Sequence, residues 1–150
     1  MAKVYAARAS DFLGINLNDL IAHQTSFDFY NDIHGSLHSQ TYEDLLRIGF
    51  NAGVESYAWF GGTGFAFNAG HTAMTAGTVN AYEQQVLSGD SYVTSWGIEG
   101  FSYSGVTMYN AAITPGTTDD YAVLAAILSG ADTFNLSSGS DRANGYVGND

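Results

Sequence analysis

Residues 57–67, Tyr-Ala-Trp-Phe-Gly-Gly-Thr-Gly-Phe-Ala-Phe, decide the fold class of this chain. Aromatic side chains recur two positions apart, at Tyr57 and Trp59 and again at Phe65 and Phe67, which is the period of a pleated strand. The glycines between the two pairs predict a turn, because glycine is the residue that tight turns most often require. The stretch therefore predicts two short strands separated by glycine.

The same pattern continues along the chain beyond this stretch. Further pairs two positions apart are Val79 and Ala81, Tyr92 and Thr94, and Phe101 and Tyr103. The whole chain contains 18 glycines, ten tyrosines, nine phenylalanines and one proline, a composition typical of aromatic-rich strands joined by tight turns. We expect a mainly β fold of short, glycine-punctuated strands, arranged as a sandwich or as a coil.

Two helices are predicted near the C-terminus. Residues 106–112 carry apolar side chains at helical spacing, and Pro115 and Gly116 then break the helix. Residues 117–129 begin with threonines and two aspartates, which favour a helix N-terminus, and continue with an apolar face. A shorter helix is predicted near residues 16–23.

A nine-residue repeat follows the second of these helices. One Gly-x-Asp unit recurs every nine residues, at Gly130 and Asp132, at Gly139 and Asp141, and at Gly148 and Asp150. In the nonapeptide Gly-Gly-x-Gly-x-Asp-x-(apolar)-x, the glycines form a turn whose carbonyls point inward, and the aspartate adds a carboxylate oxygen. Calcium takes six to eight oxygen ligands, so these six residues are candidates for calcium binding.

The repeat is imperfect in this chain. The leading pair of glycines is never complete, and the apolar position holds Phe134 in the first unit but only Ala143 in the second. A calcium site in such a coil needs turns from successive stacked repeats, so we expect low calcium occupancy. The alternative is an ordinary loop, because glycine, serine, asparagine and aspartate form turns of many kinds.

The run from Leu124 to Asp150 resembles the junction in hemolysin-type calcium-binding proteins, the repeats-in-toxin family, where a leucine-rich helix leads into the first repeats. Upstream, the glycine- and aromatic-rich stretches 60–67 and 97–103 resemble parts of the domain that precedes those repeats in secreted bacterial proteins. At two positions the chain departs from the repeat pattern. Ala131 replaces the usual asparagine, and the cation of Arg142 is expected to weaken calcium binding beside it.

The resemblance implies a division of the chain into a β-rich capping domain at 1–126 and the beginning of a β-roll of nonapeptide repeats at 127–150. It implies a non-catalytic accessory role, with calcium as cofactor and with adjoining repeats of the same chain as partners. It further implies an extracellular protein, exported by a type I secretion system whose signal lies beyond residue 150.

The charge of the chain excludes several classes of partner. Four lysines and arginines oppose 15 aspartates and glutamates, which gives a formal net charge of -11. Nucleic acids and anionic membranes need clustered basic residues, so neither is expected as a partner. Cysteine is absent from the sequence, which excludes disulfides and thiolate metal sites. The N-terminus has no apolar run of the length that a signal peptide needs, and no membrane span is expected.

The sequence also contains candidate residues for metal binding, catalysis and ligand binding. His34 and His38 have the spacing of two zinc ligands on one helical face, but the residues between them do not favour a helix. A pair of catalytic carboxylates could be drawn from Glu55, Glu83, Asp90 and Glu99, but acidic pairs are common in an acidic chain and sequence spacing does not predict their separation. We predict no catalytic residue. The alternative function is an extracellular ligand-binding module, for haem capture or for glycans and adhesion through aromatic platforms of Trp59, Trp96 and the tyrosines, although aromatic residues at strand spacing more often pack in the core. An enzyme domain is a further, less favoured alternative.

Overall fold

The computed structural model describes residues 1–12 and 15–146. The strands are β1 (Lys3–Ala6), β2 (Gln24–Tyr30), β3 (Gly35–Leu37), β4 (Gln40–Tyr42), β5 (Asp44–Asn51), β6 (Glu55–Phe67), β7 (Met74–Ser88), β8 (Ser91–Ser104) and β9 (Thr133–Asn135). The helices are α1 (Asn18–Ala22), α2 (Gly105–Ile113) and α3 (Thr118–Ile127). With 50% strand and 17% helix, the chain has the mainly β fold that the sequence predicts.

Seven strands form one mixed sheet in the order β2-β5-β6-β7-β8-β1-β9. Neighbouring strands from β2 to β1 are antiparallel, whereas β1 and β9 are parallel. The first strand of the chain therefore lies inside the sheet, between β8 and the short strand that follows α3. Strands β3 and β4 form a separate two-stranded ribbon.

The three helices cover one face of the sheet, and the main core lies between them. From the sheet this core takes Val4, Leu46, Ile48, Phe60, Tyr82 and Ile98, and from the helices it takes Leu20, Met108, Tyr109, Val123, Leu124 and Ile127. Both helices predicted near the C-terminus are confirmed. The hydroxyl of Ser104 caps the N-terminus of α2 by accepting a hydrogen bond from the Thr107 amide at 3.2 Å.

The glycines lie inside strands more often than the sequence predicts. Strands β6, β7 and β8 have 13, 15 and 14 residues, so the expectation of uniformly short strands is wrong for the centre of the sheet. At Gly61 a β-carbon would lie 2.5 Å from the Tyr42 ring, and at Gly97 it would lie 2.4 Å from the Tyr5 ring. These glycines make room for tyrosine side chains on the sheet, which is a packing requirement and not a turn.

The β3–β4 ribbon folds across part of the face opposite the helices. A second, smaller core forms there from Leu37 and Tyr42 of the ribbon with Leu45 and Ala81 of the sheet. We call this side of the sheet the open face, because the ribbon covers only part of it and the helices lie on the other side.

Candidate functional site: the junction of the N-terminal strand with the nonapeptide segment

The first Gly-x-Asp unit joins the nonapeptide segment, residues 127–150, to the start of the chain. Asp132 is buried, and its Oδ1 accepts a hydrogen bond from the amide of Ala2 at 2.6 Å. Directly after it, the Thr133 amide donates to the Ala2 carbonyl at 3.1 Å. Strand β9 then pairs in parallel with β1, with Lys3 opposite Thr133 and Tyr5 opposite Asn135.

The second unit makes a similar attachment further along the same two segments. Asp141 Oδ1 accepts from the amide of Ser10 at 2.8 Å, and its Oδ2 accepts from the Ser137 hydroxyl at 2.8 Å. The Arg142 amide donates to the Ser10 carbonyl at 3.0 Å, and the Phe12 amide donates to the Arg142 carbonyl at 2.8 Å. The backbones of residues 2–12 and 132–142 thus run side by side in the same direction.

The two attachments follow the nine-residue spacing of the repeat. In the two described units, each aspartate accepts a hydrogen bond from an amide of the N-terminal segment, and these amides, of Ala2 and Ser10, lie 130 and 131 positions earlier in sequence. In the first unit Phe134, at the predicted apolar position, is half-buried and packs against the main core. The third unit, Gly148 and Asp150, lies outside the described residues.

The carboxylates of Asp132 and Asp141 are engaged by groups of the protein itself. Both oxygens of Asp141 accept hydrogen bonds from protein groups, and Asp132 gives one oxygen to a buried amide. Calcium needs six to eight oxygens directed at one point, whereas these carboxylates act as acceptors for N–H and O–H groups. Gly130 and Gly139 are exposed. Calcium binding by these residues stays a prediction.

The open face holds a buried carboxylate with several hydrogen-bond partners. Glu99 is buried, and its carboxylate accepts hydrogen bonds from Ser39 at 2.9 Å, from Lys3 at 3.2 Å and from His38 at 3.2 Å. Burial raises the pKa of Glu99, but these three hydrogen bonds outweigh it and hold the pKa below its ordinary value. Glu99 thereby ties the ribbon to the sheet.

Glu83, another of the four carboxylates that the sequence offers for a catalytic pair, also lies buried on this face. Its Oε2 accepts from the Tyr5 hydroxyl at 3.0 Å, and its Oε1 accepts from Gln85 at 2.8 Å and from Thr94 at 3.1 Å. Burial raises the pKa of Tyr5 far above its ordinary value, and the neighbouring Glu83 and Glu99 carboxylates add to that rise. Both glutamates are engaged in structural hydrogen bonds, which sequence spacing alone does not show.

The segment of His34 and His38 is not helical, in agreement with the residues between them. His34 and His38 lie at the ends of the β3 strand, and both adopt a left-handed backbone conformation, with φ of 49° and 50°. The ring of His38 stacks on Tyr5 with centroids 3.8 Å apart and bonds to Glu99. His34 and His38 therefore flank a strand of a tight hairpin and do not share a helical face.

One acidic cluster brings three carboxylates together. Oxygens of Asp32, Glu43 and Asp44 lie within 4.8 Å of one another. Both oxygens of the buried Asp44 already accept backbone amides, from Asp32 at 3.0 Å and from Phe65 at 2.8 Å. The cluster is thus accounted for as the anchor of the loop that precedes the ribbon.

A cleft of about 600 Å³ opens at one end of the helix face. Its floor includes Tyr82 and Trp96, and the rim includes Arg8 and Asp19. The Gln84 side-chain oxygen accepts from the Trp96 indole at 3.0 Å and from the Tyr82 hydroxyl at 3.3 Å. Trp96 is buried, so it is a core residue and does not form the aromatic platform that the sequence allows.

No family model, curated protein or solved structure matches this chain. Among the described residues, the structure contains no helix with the length and apolar character needed to cross a bilayer.

Proposed function

We propose that residues 1–126 are a non-catalytic capping domain, on which the nonapeptide coil that begins at residue 127 is started, in a secreted protein of the repeats-in-toxin type. One observation carries the proposal. Each described Gly-x-Asp unit is attached through its aspartate to the N-terminal segment, and the backbone after each unit continues parallel to that segment.

Parallel pairing is the relevant feature, because successive turns of a β-coil stack as parallel strands. Strand β1 therefore lies beside β9 where the strand of a preceding turn would lie in a β-coil. Within residues 1–12 and 15–146, β9 pairs with β1 alone, and its other edge has no strand beside it. An open edge is the surface onto which a following repeat would add, and covering the end of a coil protects it from unwanted pairing.

In this proposal, calcium binds in turns that follow, where complete Gly-Gly-x-Gly-x-Asp units would stack on one another. In the first two units the aspartates are held by the protein's own amides, so their contribution to the coil is attachment. Export by a type I system and an extracellular location belong to the same proposal, and they rest on the resemblance of residues 124–150 to hemolysin-type proteins.

The test is to extend the chain after Asp150 with four consensus nonapeptides and to follow calcium-dependent coil formation by circular dichroism. The reference joins the same nonapeptides to an unrelated folded domain. We expect the coil to form at a lower calcium concentration when it follows this domain, since the first turn is already ordered. Equal calcium midpoints in the two fusions would overturn the proposal.

A variant locates the effect at the junction. Asp141→Ala removes the acceptor for the Ser10 amide, and it should raise the calcium midpoint towards that of the reference fusion. Asp90→Asn, an exposed acid in the turn between β7 and β8, also removes one negative charge but lies outside the junction. If both variants shift the midpoint equally, the effect is one of net charge and not of attachment.

A further inference from the structure

We propose that the cleft at one end of the helix face binds an elongated amphipathic carboxylate. Such a molecule has a carboxylate at one end, an apolar body, and an oxygen acceptor at the other end. The volume of the cleft, about 600 Å³, lies within the range of pockets that hold small ligands. None of its described lining residues belongs to the nonapeptide segment, so the inference stands apart from the capping role.

The cleft follows strand β7 along the helix face. Tyr82, Gln84 and Val86 line it, and Ser88, at the end of β7, lies on the same side because alternate residues of a strand share a face. Arg8 also lines the cleft and donates to the Ser88 hydroxyl at 2.9 Å. Gln84 and Ser88 are separated by roughly 13 Å along the strand. An occupant that reaches from Arg8 to Gln84 is therefore elongated.

Arg8 is the group that would hold the carboxylate. The chain has four lysines and arginines against 15 aspartates and glutamates. Three of these cations are paired with carboxylates: Lys3 with Glu99, Arg47 with Asp28, and Arg142 with Asp11. Within residues 1–12 and 15–146, Arg8 has only the neutral Ser88 hydroxyl as a partner. Its guanidinium has the geometry to bind a carboxylate through two hydrogen bonds, so it is available to an anionic group of a ligand.

Two acids on the rim limit the ligand to one carboxylate. Asp11 is paired with Arg142 at 2.9 Å, so it does not compete for Arg8. Asp19 lines the cleft as well, and its carboxylate would repel a second anionic group of the ligand. The net charge of the chain, -11, acts in the same direction.

Apolar side chains line the body of the cleft. Those at its inner wall are buried and include Leu17, Leu20, Phe50 and Trp96. At its edge, Val54 and Leu87 are 55% and 36% exposed. An apolar body that lies on these two side chains removes their area from water, which favours binding.

A hydrogen-bond donor lies on the floor of the cleft. Gln84 Oε1 accepts from the Trp96 indole at 3.0 Å and from the Tyr82 hydroxyl at 3.3 Å, which fixes the orientation of the amide. Gln84 Nε2 has no partner among the described residues, and it is not among their buried unpaired atoms, so it is open to the cleft. An apolar group placed there would leave this donor without an acceptor, whereas a hydroxyl or carbonyl oxygen would satisfy it.

Calorimetry on the whole chain measures the binding, and tryptophan fluorescence locates it. The chain has two tryptophans, of which Trp96 lines the cleft, so Trp59→Phe leaves a single reporter at the site. The probes share one carbon chain and differ at its ends: ω-hydroxydecanoate, decanoate, decanediol and decylammonium, each below its micelle concentration. We expect saturable binding of ω-hydroxydecanoate with a change in Trp96 emission. Decanoate should bind about two- to tenfold more weakly, since it gives Gln84 no acceptor, and decylammonium should bind most weakly.

Two variants test the two ends of this assignment. Arg8→Gln should weaken ω-hydroxydecanoate about two- to fivefold, because an exposed ion pair contributes little, and it should leave the neutral decanediol unchanged. Val54→Asp removes apolar area at the edge of the cleft and should weaken ω-hydroxydecanoate about fivefold or more. The matched control is Ile113→Asp, at a 44% exposed residue of α2 that does not line the cleft, and it should leave the affinity unchanged. Thermal melting of each variant checks that the fold is intact.

Four results would overturn the proposal. The first is the absence of saturable binding by both ω-hydroxydecanoate and decanoate. The second is an equal loss of affinity for ω-hydroxydecanoate and decanediol in Arg8→Gln, which would show that the arginine does not hold the carboxylate. The third is tighter binding of decylammonium than of decanoate, which would make the cleft a site for cations. The fourth is an equal effect of Val54→Asp and Ile113→Asp, which would place the binding outside the cleft.

Discussion

Replacing Glu99 with glutamine should destabilise the protein in a way that depends on pH. The carboxylate accepts hydrogen bonds from Ser39, Lys3 and His38, and glutamine replaces one of its oxygens with a donor that faces other donors. A hydrogen bond to a charged group contributes about 1.5–3 kcal/mol. However, the Lys3 and His38 side chains are 42% and 37% exposed and can be solvated when released, so their shares are small. We expect E99Q to cost about 2 kcal/mol at pH 7.

The sign of the pH dependence follows from the lowered pKa of Glu99. A carboxyl group whose pKa is lower in the folded chain than in the unfolded chain stabilises the fold above the unfolded pKa, here 4.5. That contribution is lost as the pH falls through the folded pKa. The difference in unfolding free energy between the wild type and E99Q should therefore be constant above about pH 5.5 and should shrink as the pH falls below 4.5.

The assay is urea denaturation at a series of pH values, with hydrogen exchange of residues 35–42 as a local measure. Exchange in the ribbon should accelerate in E99Q more than exchange in β6 and β7, because Glu99 holds the ribbon to the sheet. Glu55→Gln, an exposed carboxylate on the same face, serves as the matched control and should change stability by less than about 0.5 kcal/mol. A cost for E99Q that stays the same down to pH 3, or one no larger than that of the control, would refute this account.

Substitutions at three further positions test the contacts of the fold by chemical denaturation. Asp120→Ala should cost about 1–3 kcal/mol of stability, because the carboxylate accepts a hydrogen bond from the buried Leu17 amide at 3.0 Å. Asp120→Asn keeps an acceptor and should cost less at pH 7, since burial raises the pKa of Asp120 and so disfavours its charge. A larger loss of stability for Asp120→Asn than for Asp120→Ala would contradict this. Gly61→Ala should cost about 1–3 kcal/mol through the contact with Tyr42 at 2.5 Å, and a neutral result would mean that the ribbon moves freely. Arg142→Ala removes an ion pair in which the arginine is 68% exposed and should cost less than about 0.5 kcal/mol; a larger loss would show that the pair, and not the backbone pairing, holds the junction.

The sequence predicts those elements whose signals are local. The two helices near the C-terminus are confirmed because capping residues, apolar spacing and the break at Pro115 and Gly116 all lie within a few residues of each helix. Helix α3 ends at Ile127, before the predicted stop at Gly130, and helix ends are the least certain part of such a prediction.

The glycines show where local signals fail. A glycine in a turn and a glycine beneath a tyrosine ring look the same in a sequence, so Gly61 and Gly97 predict turns although both lie inside strands. The difference arises from the ribbon and from β1, which reach these positions from distant parts of the chain. The spacing of His34 and His38 fits a helix, but the residues between them do not favour one, and the backbone forms a hairpin.

At the junction, too, the sequence predicts some of the residues and not their partners. The nine-residue spacing identifies Asp132 and Asp141 without a structure, and it also predicts the apolar position of Phe134. Their partners, the amides of Ala2 and Ser10, are 130 and 131 positions away, and no pattern in the sequence connects them.

By itself, then, the sequence determined the mainly β class, the two C-terminal helices and the regular spacing of the Gly-x-Asp units, since each depends on residues that are near one another in the chain. Only the tertiary structure decided that the aspartates hold the N-terminal segment, that Glu99 holds the ribbon, and that Trp59 is half-buried while Trp96 is buried. Hydrogen-bond partners and exposure depend on the path of the whole chain, which brings together groups that sequence separation keeps apart.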